Sequence, residues 1–252
     1  MAPPRDFLAR HAPPALSLIA GIVLWEMVGR RTDAAFLVPL SETLERLGEL
    51  IRSGELLRQT ANSLGIFITG FVLALIVGAP LGMLLARVAA LRRALDVYIM
   101  IAYATPLVAL SPFILSLLGF GFAPKVLVVF LFAVFPVLYN TVEGARSLKP
   151  ELVEVARSFR SSEWALLREV MVPYTLPFTM TGVRQAIGRA LVGMIAAEFF
   201  LSSTGLGQLI MNASQNFDTA GVLAAILVIV ALGLVLMQFG RFVEQRFARW
   251  RV

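Results

Sequence analysis

Residues 222–239 read VLAAILVIVALGLVLMQF, a stretch of 18 residues without a charged side chain. A helix needs about 20 mostly apolar residues to cross the hydrocarbon core of a bilayer, so this stretch predicts a transmembrane helix. Of the 252 residues in the chain, 58% are apolar and 15% are charged, against about 45–50% and about 25% in soluble domains. The sequence therefore predicts an all-α integral membrane protein and excludes a disordered chain.

Few residues in the chain could carry out catalysis or bind a metal. There is no cysteine and one histidine, His11, which excludes thiolate sites, histidine clusters and the triads that depend on them. The serines and tyrosines have no visible general base. We therefore expect no catalytic site, no metal and no cofactor on this chain, and an intramembrane enzyme is disfavoured.

Five other apolar stretches bring the prediction to about six spans, in a single domain that covers residues 1–252. They are residues 12–28, 63–86, 95–118, 126–141 and 178–201. The first of them begins with Pro13 and Pro14, which suit the first turn of a helix. Residues 16–28 also have the length of a signal-peptide core. The GRRTD sequence that follows has no cleavage pattern, which favours a retained anchor.

Arginine and lysine indicate the orientation of the bundle, because they are enriched in cytoplasmic loops. With the N terminus in the cytoplasm, the inner segments hold 14 of the 22 basic residues and the outer segments six, so both termini are predicted to be cytoplasmic. The net charge of +6 thus reflects membrane orientation, and the exposed basic surface that nucleic acid requires is not expected. Apolar residues at helical spacing over 40–57 and 206–213 predict amphipathic helices in the outer connections.

Residues 142–177 form a polar cytoplasmic connection that predicts two short helices. Pro150 and Glu151 suit the first turn of a helix, where the exposed N–H groups and the dipole favour proline and acid. The apolar residues that follow fall on one face of that helix: Leu152, Val155, Ala156 and Phe159.

The second of these helices is predicted to begin after Ser162, whose hydroxyl can accept a hydrogen bond from the first turn. Pro173 and Pro177 are expected to end it. Its apolar side chains are those of Trp164, Leu167 and Met171. A pair of amphipathic helices can lie in a groove on a partner protein or pack on the spans of its own chain, and the pattern leaves both interpretations open.

The same connection resembles the cytoplasmic signature of binding-protein-dependent ABC importer permeases. That signature runs E-A-A, three residues, G, nine residues, I-x-L-P, and Glu154, Ala156 and Pro173 match it outright. Valine at 155 is a mild replacement for alanine, and valines at 170 and 172 replace isoleucine and leucine. Arg160 replaces the glycine, which suits a left-handed or tight turn. The replacement predicts either a changed turn or a changed surface for the partner.

A longer series of motifs resembles the subfamily of these permeases that handles nitrate, sulfonates, taurine and related small solutes. The motifs occur in the same order from residue 54 to residue 207. They are GELL at 54–57, NSL at 62–64, GF at 70–71, GAPLG at 78–82, TPLVALSP at 105–112, GFG at 119–121, GVR at 182–184, Glu198, and GLG at 205–207.

The resemblance implies a permease of the bacterial inner membrane that works as a pair of copies around a central path. An ABC ATPase dimer would bind the cytoplasmic loops, and a periplasmic binding protein would deliver a small solute with an anionic group, such as a sulfonate, nitrate, taurine or an aromatic carboxylate. ATP and Mg²⁺ would be used by the partner, since neither Lys125 nor Lys149 lies in a phosphate-loop motif. The residues implied in coupling are Glu151, Glu154, Ala156, Phe159, Arg160, Trp164, Leu167 and Pro173.

The fifth predicted span carries Arg184, Arg189 and Glu198. Charged groups at membrane depth face the bundle interior or a water-filled cavity. Arg189 could attract an anionic solute in the path, or Arg189 and Glu198 could pair with neighbouring helices while Arg184 lies at the boundary; the second interpretation is favoured. Pro106 and Pro112 break the third span, as candidates for the lining of the path or for a packing kink.

A secondary transporter, driven by an ion gradient without an ATPase, is the alternative function. Such proteins usually have more spans and acidic residues at mid-membrane, whereas Glu198 is almost alone here. The cytoplasmic signature would also have no role in one. The leading prediction is therefore the membrane subunit of an ATP-driven importer.

Overall fold

The computed structural model describes residues 4–201 and 203–247, and every regular element in these ranges is helical. Besides the α-helices there are a 3₁₀ turn, Leu107–Leu110, and a π-helical turn, Leu166–Met171. The helices are α1 (Pro4–Gly29), α2 (Leu40–Arg52), α3 (Glu55–Arg87), α4 (Ala89–Ala104), α5 (Ser111–Leu118), α6 (Phe122–Arg146), α7 (Pro150–Ser158), α8 (Glu163–Ala165), α9 (Val172–Leu201), α10 (Leu206–Gln215) and α11 (Thr219–Phe247).

Within the described ranges, three helices are long and apolar enough to cross a membrane, namely α3, α6 and α11. A fourth span is possible if α4 and α5 are counted together, although they are bent by 86° at the break between them. The first and fifth predicted spans coincide with α1 and α9. In α1 only Leu16–Gly29 is apolar, and α9 carries three charged residues, so the total of six spans stays a prediction.

The centre of the bundle is formed by α3, α6 and α9, which pack closely along their lengths. Glycines let these backbones approach: a Cβ at Gly82 of α3 would lie 2.8 Å from the carbonyl oxygen of Leu138, and one at Gly182 of α9 would lie 2.7 Å from that of Pro136. Helices in lipid associate through such close packing, because burial of apolar surface gives no advantage there.

The amphipathic helices predicted over residues 40–57 and 206–213 are present as α2 and α10, but α2 ends at Arg52, and Leu56 and Leu57 belong to α3. They share an apolar cluster with the start of α11. Arg46 of α2 is 2.7 Å from Glu49 and 2.8 Å from Asp218, next to the start of α11. Hydrogen bonds to Glu49 and Asp218 raise the pKa of the Arg46 guanidinium.

Two expectations about proline are wrong. Helix α1 begins at Pro4, so Pro13 and Pro14 lie inside it and not in its first turn. Pro173 and Pro177 do not end the second loop helix, because the π turn joins α8 to α9 without a break. Proline has a helical φ, but it lacks the N–H and its ring crowds the carbonyl four residues earlier. The π turn changes the hydrogen-bond pattern just before Pro173, where that N–H is missing.

The connection between α6 and α9 is shorter than the predicted residues 142–177, since α6 extends to Arg146 and α9 begins at Val172. Of the arginines that were counted for orientation, Arg249 and Arg251 lie outside the described residues.

Candidate functional site

The two predicted loop helices are present as α7 and α8, with a tight turn between them. Arg160 has φ +56°, in the left-handed region. The Arg160 N–H donates to the carbonyl of Arg157 at 2.9 Å, and the Ser161 N–H donates to the carbonyl of Ala156 at 3.1 Å. These two bonds form a Schellman motif, the helix end at which glycine is most common. Arg160 stands at the glycine position of the signature that the loop resembles, and it adopts the left-handed conformation there.

Polar contacts hold the loop in place, both within itself and against α3. Within the loop, Ser162 caps α8 as predicted, because its hydroxyl accepts the Ala165 N–H at 3.2 Å. Glu163 forms an ion pair with Arg87 at the end of α3, at 2.8 Å, and lies 3.7 Å from Arg157 of α7. The loop therefore has a defined position relative to the spans.

The predicted coupling residues divide into an exposed set and an inward set. Phe159 is 82% exposed and Trp164 is 67% exposed. The other exposed members are Glu151, Glu154 and Arg160. Ala156, Leu167 and Pro173 are half-buried, and Leu167 lines a cavity with residues of α3. Each interpretation of the loop therefore holds for some of the apolar residues. Leu167 packs on the spans of its own chain, whereas Phe159 and Trp164 are exposed and available to a partner protein.

Arg189 contacts the broken third span. Its guanidinium donates to the Tyr103 hydroxyl at 2.7 Å and lies 4.9 Å from the centre of that ring. Tyr103 also lines a cavity of about 440 Å³ between α4, α6 and α9, together with Asn140 and Gln185. Arg184 instead pairs with Glu244 of α11, at 3.3 Å. Arg189 therefore has a partner on a neighbouring helix, as the favoured interpretation predicts. That interpretation places Arg184 at the boundary and does not predict its ion pair with Glu244.

The break in the third span is where the prolines predict it. Helix α4 ends at Ala104, before Pro106, and α5 begins at Ser111, before Pro112. Both prolines are exposed in the single chain. This part of the span is therefore available to face a second chain or a path.

Glu198 is fully buried and joins α9 to α3 and α10. Its carboxylate accepts the Ser63 hydroxyl at 2.6 Å and the Gly207 N–H at 2.7 Å. The Ser63 oxygen accepts the Leu206 N–H at 2.9 Å, and the Gln59 amide oxygen accepts the Gly205 N–H at 2.7 Å. These acceptors satisfy N–H groups at the start of α10, where negative charge is favourable.

Sequence reasoning missed the roles of Gln59 and Ser63. Their partners lie more than 130 residues away in the chain, so only the tertiary structure shows the network. Glycine at 205 has φ +108°, and a Cβ there would collide with the Glu198 carboxylate. The GLG motif therefore has a local physical reason, which is the close approach of this backbone to the acid.

Comparison with known proteins gives close relatives. A family model described as the binding-protein-dependent transport system inner membrane component matches residues 78–249. A Bacillus subtilis protein named as an aliphatic sulfonates transport permease, SsuC, is 31% identical over 91% of this chain and 84% of its own length. The riboflavin transport system permease protein RibX of Chloroflexus aurantiacus is 34% identical, over 96% and 93%.

The fold matches a solved transporter as well. A chain of the inward-facing MetNI methionine ABC transporter aligns with a TM-score of 0.67 over 78% of this chain and 97% of that one, at 18% identity. The family model matches more than half of the sequence, and two relatives exceed 30% identity along nearly all of it. The chain therefore belongs to the family of binding-protein-dependent transport system inner membrane components, as an ABC transporter permease of the importer type in the inner membrane.

Proposed function

We propose that the chain is the membrane-spanning subunit of an ATP-driven importer, in which two copies surround a path for the solute. A dimer of ABC ATPases binds the cytoplasmic loop and uses the ATP and Mg²⁺, and a periplasmic binding protein delivers the solute. The observation that carries this proposal is the exposure of Phe159 and Trp164 on a loop that is fastened to the spans.

Burial of these two side chains in a groove of the ATPase would supply the affinity. Complete burial of a large apolar side chain is worth about 1.5–3 kcal/mol, and helices that lie in grooves bind through such anchors. Glu151, Glu154 and Arg160 are exposed beside them and would contact the rim of the groove. Ala156 and Leu167 would support the two helices from below.

The helical connection gives the loop a mechanical link to the bundle. From Glu163 to Leu201 the chain is continuous helix, through the π turn and Pro173. Helix α9 in turn packs on α6 and α3. When ATP closes the ATPase dimer, displacement of the loop would tilt α9 together with these helices, which alternates the access of the path to the two sides.

The solute is proposed to be a small molecule with an anionic group, such as a sulfonate, nitrate, taurine or an aromatic carboxylate. Arg189 lies 11 residues beyond Phe178, about 16 Å along α9 and near the middle of a membrane core of about 30 Å. The SsuC likeness supports this class of solute, whereas RibX has a different one by its name. Pro106 and Pro112 are proposed to line the path with Arg189. Glu198 is buried here and would reach the path only after α10 moves away.

Co-purification from native membranes in mild detergent, with mass spectrometry of the bound proteins, tests the docking of the ATPase. We expect an ATPase subunit with the wild type and its loss with Glu154→Lys, which reverses the charge beside the exposed aromatic residues. Glu45→Lys in α2 makes the same charge change on the opposite side and should retain the subunit. Recovery of the wild-type chain without an ATPase would favour a secondary transporter.

Uptake by the variant Arg189→Ala tests the role of the arginine in the path. We expect a higher concentration for half-maximal uptake of the anion, with the ATPase still bound. Arg184→Ala removes an arginine that pairs with Glu244 and serves as the matched control. If Arg189→Ala leaves the affinity for the anion and its uptake unchanged, Arg189 does not contact the solute and has only a structural role.

A further inference from the structure

A cavity of about 490 Å³ lies where the cytoplasmic loop meets the spans. It is lined by the C-terminal part of α3, by Thr141 near the end of α6, by the π turn and by the start of α9. Most of its wall is aliphatic. The apolar side chains include those of Pro80, Met83, Leu84, Leu167, Val172 and Leu176. Its volume lies within the range of about 300–1,000 Å³ that is typical of ligand sites.

The polar groups of this cavity are few and distinct. Thr141 and Thr179 form a hydrogen bond with each other at 3.0 Å. Thr175 is 1% exposed, and within the described part of the chain its hydroxyl is one of two buried side-chain groups without a hydrogen-bond partner. Buried hydroxyls nearly always have a partner, since an unpaired one costs free energy. An acceptor from a ligand in the cavity would satisfy it.

Arg87 forms the polar end of the cavity. It is the last residue of α3, a helix of 33 residues. Because about 20 residues suffice to cross the hydrocarbon core, Arg87 lies at the membrane boundary. Two more arginines, Arg92 and Arg93, follow five and six residues later in the chain. The π turn and Arg87 line the same end of the cavity, through Leu167. Thr175 lies about one helical turn beyond the π turn, deeper in the bundle.

The cavity is open at its side. Leu84 is 46% exposed and Val172 is 42% exposed, and both face outward from helices that lie in the membrane or at its boundary. A molecule could enter from the lipid without passing through the bundle. Basic pockets between transmembrane helices on the cytoplasmic side are typical sites for anionic lipid head groups.

We propose that this cavity binds an anionic phospholipid. One acyl chain lies in the aliphatic recess, the phosphate contacts the Arg87 guanidinium, and an ester carbonyl accepts a hydrogen bond from the Thr175 hydroxyl. Arginine has five N–H donors, so it can bind the phosphate and retain its ion pair with Glu163. The lipid joins α3 to the cytoplasmic loop, beside the contact that fastens them.

The test is lipid retention by the full chain in bilayers of phosphatidylcholine, with or without phosphatidylglycerol, measured by mass spectrometry of the lipids that remain after extraction into detergent. We expect the wild type to retain phosphatidylglycerol selectively. Arg87→Gln should weaken this retention roughly tenfold, as for loss of one charge-assisted contact. Glu163→Gln is the matched control, because it breaks the same ion pair but leaves the cation; its retention should equal or exceed that of the wild type.

Thr175→Val provides a second readout that does not depend on Arg87. Without phosphatidylglycerol this variant should have a higher thermal midpoint than the wild type, because it removes an unpaired hydroxyl. With phosphatidylglycerol the advantage should disappear, and the variant should retain less of this lipid.

Three results would overturn the proposal. They are equal retention of the two lipids by the wild type, equal loss with Arg87→Gln and Glu163→Gln, and a stabilisation by Thr175→Val that is the same in both bilayers. The measurement needs no ATPase, so its failure is distinct from a failure of the proposed coupling.

Discussion

Arg160 adopts a backbone conformation that favours glycine, at the turn between α7 and α8. A residue with a Cβ costs roughly 1–2 kcal/mol in the left-handed region, and the greater freedom of glycine in the unfolded chain offsets part of that. We predict that Arg160→Gly stabilises the chain by up to about 1 kcal/mol, measured as the thermal midpoint of the purified protein in detergent.

Phe217 provides a matched control for this substitution. It also has φ +56°, at the same type of helix end after α10, but it lies in a connection that is predicted to be on the outer side. Phe217→Gly should stabilise the chain by a similar amount. If Arg160→Gly alone alters co-purification of the ATPase, the arginine side chain is part of the docking surface. No gain in stability from either variant would contradict the strain argument.

Glu198 shows how far a single residue could be predicted. The sequence indicates a costly acid in a span and a favoured pairing with its surroundings, but not the partners. We predict that Glu198→Gln destabilises the chain by about 1–3 kcal/mol, because the amide would direct a donor at the Ser63 hydroxyl or at the Gly207 N–H, which both donate. Glu244→Gln, at a half-buried ion pair, should cost less in the same thermal unfolding measurement. Equal effects would contradict the network.

The presence of most helices could be predicted from the sequence, but the connections between them could not. Apolar runs and amphipathic spacing indicated α2, α3, α6, α7, α10 and α11, because period and length act locally. The continuation of α8 into α9 was not predictable, since a proline alone indicates an end. Only the structure shows that the π turn before Pro173 accommodates the missing N–H.

The packing of α3 on α6 gives a prediction for a whole element. Two glycines of α3 differ only in their surroundings: a Cβ at Gly82 would lie 2.8 Å from the Leu138 carbonyl oxygen and from the Thr141 Cβ, whereas one at Gly65 meets nothing within 4 Å. Gly82→Ala must push the two backbones apart and should cost about 1–3 kcal/mol. Gly65→Ala should instead stabilise by up to about 1 kcal/mol through helix propensity. Thermal unfolding of the two variants, compared with the wild type, measures both effects. A loss of similar size from both alanines would show that the helix contact is not tight.

The orientation of the whole molecule depends on the distribution of charge, 14 basic residues against six, and it decides which surfaces are available to the ATPase. The absence of cysteine makes the orientation directly measurable, because any introduced thiol is the only one in the chain.

We predict that Ser53→Cys, at the exposed end of α2, reacts with a membrane-impermeant maleimide added to cells whose outer membrane has been opened. Ser158→Cys, at the exposed end of α7, should react only after the inner membrane is permeabilised. Both serines are exposed in the chain, so the contrast reports sidedness. The reverse pattern would place α7 outside, where no ATPase could reach Phe159 and Trp164, and the coupling proposal would fail with it.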